Sequence, residues 1–170
     1  MECEVDAEKI KRVIPVSMVS TSISRQGGGV TPVMQSASRA LVKTGTVSVN
    51  VYALRDGFSL EDVAGWSGIP TNCFDSFGPK AFGYSPSLLR AVRASNAKIL
   101  HRHGLWNFPS HAVSRAAGLN RKPYVVSVHG MLNPQALKVA SFKKRIMGRL
   151  FEKRFLQRAD CIHALGESEI

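Results

Sequence analysis

The chain has 170 residues, slightly more than a common domain size of about 100 to 150, and so has material for one real core. With 44% apolar and 21% charged residues it matches ordinary globular usage, which excludes fibrous, disordered and membrane-spanning classes. Its formal charge of +11 invites a nucleic-acid or membrane-surface partner, so where that charge sits matters more than its size.

Read in chain order, apolar runs alternate with helical patterns, the signature of strand–helix units in a mainly parallel sheet. Residues 1–10 are read as disordered. Their acidic start is the wrong sign for a secretory leader, and no run approaches the roughly 18 apolar residues of a membrane helix, so a cytoplasmic address is expected. Residues 12–20 form a first predicted strand, followed by Gly27-Gly28-Gly29-Val30-Thr31-Pro32. Three glycines leave backbone N–H groups bare ahead of a helix N-terminus, a place that welcomes anions. The spacing fails the dinucleotide fingerprint, because Pro32 stands where the third glycine belongs and no acidic residue closes the second strand. No Gly-Lys-Ser/Thr follows either, so nicotinamide and P-loop chemistry are unlikely candidates for this turn.

Thr31-Pro32 offers a cap and a first-turn proline, after which Val33, Met34, Ala37, Ala40 and Leu41 recur at helical spacing. Residues 47–53 read as the second strand. Residues 55–83 hold Gly57, Gly65, Gly68, Pro70, Gly78, Pro79 and Gly83, which predicts a long ordered loop. Phe58, Trp66, Phe74, Phe77, Phe82 and Tyr84 crowd into or beside it. These rings either pin the loop to the sheet or build a platform for an acceptor. Helices over 85–95 and 108–117 and strands over 97–102, 124–128 and 161–165 complete the series, and the whole of 1–170 is expected to form one domain.

The third and fourth strands run into the same dipeptide, His103-Gly104 and His129-Gly130. In open parallel sheets the ligand crevice lies outside the carboxyl ends of the strands, and a glycine there permits close backbone approach. Both imidazoles are therefore candidates to hydrogen-bond a hydroxyl or carry a transient proton. His101 shares a face with His103, but no carboxylate or cysteine nearby completes a metal site. Cys3, Cys73 and Cys161 are odd in number and widely separated, consistent with reduced thiols rather than a disulfide framework. Of the excess charge, residues 138–158 carry eight Lys or Arg against one acid, Glu152, a net +7. Phe142, Ile146 and Leu150 recur four apart among them, the pattern of a basic amphipathic helix. Lys143, Lys144, Arg145 and Arg149 are its candidate membrane-surface residues.

Taken in order, the triple glycine, His103-Gly104-Leu105-Trp106, the run from Pro123 through His129-Gly130-Met131-Leu132, and Ala159 through Gly166-Glu167-Ser168-Glu169 resemble the N-terminal Rossmann-like domain of family-four (group one) glycosyltransferases. That domain is one half of the GT-B fold. The resemblance implies an α/β, Rossmann-like, mainly parallel sheet flanked by helices. It implies a retaining transfer of a hexosyl group from a nucleotide-sugar to a glycan or lipid-linked acceptor, as in polysaccharide biosynthesis, with no metal or other cofactor. Carried over residue by residue, it gives His129 the catalytic contact to the donor sugar. Gly28, Gly29, Val30, His103, Gly130 and Met131 become substrate-binding residues, and Glu167 lines the crevice.

The chain departs from the family pattern by stopping before a second Rossmann-like domain, in which members carry two glutamates separated by seven residues. The expectation is therefore a fragment lacking its C-terminal nucleotide-sugar domain and inactive alone. The rival expectation is a non-enzymatic basic module that binds nucleic acid or an anionic membrane surface. The chain lacks helix-turn-helix, zinc-finger and RNP patterns, so a nucleic-acid partner is not expected.

Overall fold

The computed structural model describes residues 13–138, 151–164, 166 and 169. Six parallel strands form one sheet in the order β3-β2-β1-β4-β5-β6. They are β1 (Ile14–Ser20), β2 (Val47–Leu54), β3 (Thr71–Phe74), β4 (Ile99–His103), β5 (Tyr124–Ser127) and β6 (Cys161–His163). The helices are α1 (Val30–Lys43), α2 (Ser59–Asp62), α3 (Pro86–Ala94), α4 (Phe108–Asn120), α5 (Pro134–Lys138) and α6 (Lys153–Gln157).

Strand periodicity sorts the side chains into two layers. Val16, Met18, Val49, Val51 and Ala53 point to one face, where Met34 of α1, Trp66 and Ile69 cover them. Val19, Tyr52, Leu54, Leu100 and Val126 point to the other, under Leu88 and Val92 of α3, Val113 and Ala116 of α4, and Phe155 of α6. Through β1, β2, β4 and β5 both faces of the sheet are thus largely buried, as a parallel sheet requires. Ser85 caps α3 by accepting from the Leu88 N–H, with Pro86 in its first turn.

The chain winds outward through β1, β2 and β3, then returns to lay β4 against the other side of β1. The order therefore reverses between β1 and β4, the place where crossovers diverge and leave a crevice at the strand ends.

Five of the strands stand where the sequence puts them, with ends moved by a few residues. β1 starts at Ile14, β2 gains Leu54, β5 stops at Ser127 and β6 at His163. His103 belongs to β4 rather than following it. The expected loop over 55–83 is the larger correction. It contains α2, a 3₁₀ turn at Val63–Trp66 and a sixth strand, β3. Thr71–Phe74 pair along Val51–Leu54, and the Asn72 amide donates to Asn50 Oδ1 at 2.7 Å. Flanking Gly68 and Pro70 hide so short a strand from a pattern reading. The expectations for residues 1–10 and for the middle of the basic run, including Lys143, Lys144, Arg145 and Arg149, fall outside the described residues.

Candidate functional site

The reversal between β1 and β4 holds a cavity of about 360 Å³. Ser20, Thr21 and Ser22 leave β1 along one wall, Leu54 to Gly57 leave β2 along another, and His103, Asn107 and Met131 close the far side. Gln26, Gly27 and Val30 of the glycine turn, with Ser76 and Lys80, complete the lining.

Hydroxyl groups shape the glycine turn. Ser22 Oγ donates to Asp56 Oδ2 at 2.6 Å and Ser24 Oγ to Asp56 Oδ1 at 2.8 Å, while the Phe58 N–H reaches Oδ1 at 3.0 Å. Burial is the largest single influence on this carboxyl and pushes its pKa up, but the bonds from Ser22, Ser24 and Phe58 together bring it below its ordinary value. Asp56 therefore stays ionised and fastens the end of β2 to the turn. Ser24 also caps the 3₁₀ segment Arg25–Gly27 through the Gln26 N–H. Gly28 then adopts φ +58°, a left-handed conformation that suits glycine. A Cβ on Gly27 would meet Thr31 Oγ1 at 2.3 Å, so the turn packs directly on the start of α1.

A histidine cluster occupies the ends of β4, β5 and β6. Ser127 Oγ lies 2.8 Å from His101 Nε2 and 3.0 Å from His163 Nδ1. His103 Nδ1 lies 3.0 Å from His129 Nε2, with the rings 5.2 Å apart and nearly parallel. Burial, more than the neighbouring imidazoles, lowers the pKa of His101 to about 4 and puts that of His103 well below its ordinary value. It also lowers the pKa of His129, with His163 and Arg102 adding to the effect. These rings are accordingly neutral at pH 7 and serve as hydrogen-bonding groups rather than charges. Among the described residues no three His, Cys, Asp or Glu side chains converge as metal ligands.

The backbone at this rim is unusual. Gly104 and Gly130 have φ +86° and +77°, and two non-glycine residues, Trp106 and His129, have φ +68° and +50°. Left-handed non-glycine residues are uncommon and cluster at functional sites. Bonds between the loops hold them there: Gly104 N–H to Ser127 O at 2.9 Å, and Trp106 Nε1 to Met131 O at 3.4 Å.

Gly27, Val30, His103 and Met131 thus meet around one cavity. Gly28 lines a neighbouring surface groove with Arg25, Thr31 and Pro32, and Gly29 and Gly130 are exposed. His129 sits at the outer rim, half-buried. His103, expected to touch a ligand, is only 3% exposed and its Nε2 is sealed with no partner among the described residues. Its ring packs against those of His101, 4.1 Å away between centroids, and His129, which it meets through Nδ1. Glu167 lies outside the described residues. None of the six aromatic residues expected as a platform lines the cavity. Trp66 is buried and donates to Ile23 O at 2.8 Å, Phe74 stacks on Tyr52, and Phe82 and Tyr84 pack edge-on against Phe108.

Sequence reasoning missed Thr21, Ser22, Asp56 and Asn107. The run Ser20-Thr21-Ser22-Ile23-Ser24 directly after a strand was the available signal. Asn107 looks like a helix cap, yet its side chain makes no cap bond and turns to Arg102 and Thr21 instead.

Comparison with solved structures gives the same architecture. Anabaena HepE, solved in complex with UDP and glucose, superposes with a TM-score of 0.60 at 16% identity, covering 91% of this chain and 39% of HepE. MurG of Acinetobacter baumannii superposes with a TM-score of 0.56 at 15% identity, covering 92% of this chain and 43% of MurG. The chain therefore spans about two-fifths of the length of these structures. No curated protein matches it. A model of the glycosyl transferase 4-like domain matches residues 28–170, and the chain belongs to that family.

Proposed function

We propose that this chain is the acceptor-side domain of a retaining, nucleotide-sugar-dependent glycosyltransferase that works against a second α/β domain holding the nucleotide. The observation that carries the reading is the conjunction at the sheet's reversal point: a hydroxyl-lined cavity under a glycine turn, with the left-handed His129 at its rim. The cavity takes the polar end of a glycan or lipid-linked acceptor. His129 meets the donor sugar. Because its Nε2 is engaged by His103, the nitrogen it offers is Nδ1, and a sugar hydroxyl can donate to or accept from that atom.

His129 binds and orients in this scheme, since a neutral imidazole with a lowered pKa holds a hydroxyl in place without adding charge. Gly29 and Val30 offer backbone N–H groups to donor phosphate and acceptor, Gly28, whose own N–H bonds Arg25 O, turns the chain between them and the strand, and Gly130 and Met131 shape the entrance beside His129. The transfer needs no metal. Lys143, Lys144, Arg145 and Arg149 bring the domain to an anionic inner-leaflet surface, where a lipid-linked acceptor resides.

The test supplies the intact gene product with UDP-, GDP- and ADP-sugars and a lipid extract as acceptor source, following nucleotide release and product anomeric configuration. One donor class should support transfer with retention, and His129→Ala should lower kcat/KM by about 10²- to 10³-fold. Transfer unchanged in that variant, or inversion at the anomeric carbon, would overturn the assignment.

A further inference from the structure

Arg102 is 0% exposed, in the middle of β4. Its five N–H donors all find acceptors. Nε reaches Ser110 Oγ at 3.4 Å, and Nη1 reaches Val19 O at 3.1 Å and the His103 carbonyl. Nη2 reaches Asn107 Oδ1 at 2.5 Å and Thr21 Oγ1 at 3.5 Å. Glu152, itself buried, is the acidic group whose field acts on Arg102.

This arrangement fixes directions that side chains usually leave open. An arginine only donates, so the atom of Asn107 facing it must be the carbonyl Oδ1. Nδ2 is then the donor to Thr21 Oγ1 at 2.8 Å. Thr21 Oγ1 receives N–H groups from both Asn107 and Arg102, so its own proton is left to donate elsewhere. Both Thr21 and Asn107 line the cavity. Where Thr21 and Asn107 meet in the lining, here termed the cavity floor, one Thr21 O–H and one Asn107 N–H are thus left to donate.

We propose that Arg102 is a positioning residue that commits Thr21 and Asn107 to donate into the cavity, so that the ligand atom seated on this floor is an accepting oxygen. The proposal rests on the cavity being a substrate pocket, as the transferase reading has it, and names what that pocket selects at its floor. Buried positive charge on Arg102 strengthens both donors. Lys80 adds a cation to the same lining, while Asp56, the one carboxylate there among the described residues, already accepts from Ser22, Ser24 and the Phe58 N–H.

The full chain, labelled with ¹⁵N and ¹³C, is titrated with inorganic phosphate while the Thr21 methyl and Asn107 side-chain amide signals are followed. A saturable shift of both is expected. Asn107→Asp keeps the shape but accepts the Thr21 proton, turning that hydroxyl away from the cavity. This variant and Thr21→Val should each weaken phosphate binding about tenfold, whereas Thr21→Ser should bind like the parent. Arg102→Lys, which keeps the charge and loses the fork, should weaken it as well. A structural role alone would not separate serine from valine at position 21. Phosphate that fails to shift these signals, or that binds Asn107→Asp and Thr21→Val as tightly as the parent, overturns the proposal. No nucleotide-sugar is present, so a failure of the transfer reading leaves this result standing, and the converse holds.

Discussion

His103 Nδ1 and His129 Nε2 lie 3.0 Å apart, joining the end of β4 to the second residue after β5. One ring donates and the other accepts, so His103 fixes which nitrogen of His129 faces outward and restrains its plane. Replacing His103 by Phe keeps an apolar ring in a buried place and removes the bond. We expect the ¹⁵N signals of His129 to move from one dominant tautomer to a mixture and, under the proposed transferase reading, kcat/KM to fall on the order of tenfold. An unaltered tautomer population would show that His103 does not position His129.

The histidine cluster makes stability depend on pH. His101 has a pKa of about 4 in the folded chain, mainly through burial, against an ordinary 6.5. A base whose folded pKa is lowered stays neutral while the unfolded chain takes up a proton, so stability is full above pH 6.5 and is lost as pH falls toward 4. His101→Gln keeps a partner for Ser127 and does not titrate. Between pH 6.5 and 4.5 the parent should lose on the order of 2 kcal/mol more than this variant in urea denaturation. Taking the difference between the two proteins cancels Glu152, whose carboxyl is raised to about 7 by burial and acts in the opposite direction. Parallel pH profiles would contradict the assignment.

Gly104 has φ +86°, and a Cβ there would stand 3.1 Å from Met131 Cε. The left-handed conformation costs a side chain about 1–2 kcal/mol, and the methionine must give way. Gly104→Ala should therefore lower the unfolding free energy by that amount, seen as a lower urea midpoint at unchanged m-value, and shift Met131 at the cavity wall. A variant of parental stability would mean the loop relaxes to another conformation at no cost.

The legible parts of this fold were those with repeating local patterns. Val16, Met18, Val49 and Val51 belong to apolar runs that alternate with helical patterns along the chain, so five strands and the parallel arrangement could be read directly. The pair His103-Gly104 and His129-Gly130 marked the edge of the sheet at which the cavity lies, because each follows an apolar strand run. β3 was hidden because Thr71–Phe74 is short and takes its stability from Val51–Leu54, distant in sequence. Asp56 and Asn107 were hidden because their roles depend on partners 32 to 34 and 86 residues away in Ser24, Ser22 and Thr21. His103 stands at the end of β4, with its ring against His129 rather than open space, a distinction that only packing decides.

The most direct test of the central claim is a crystal structure of the intact gene product bound to its nucleotide-sugar. The account predicts a donor-sugar hydroxyl within about 3.2 Å of His129 Nδ1, with the reactive carbon facing the cavity between Thr21 and Asp56. A sugar bound beyond reach of His129, or on the far side of the sheet from this cavity, would contradict it.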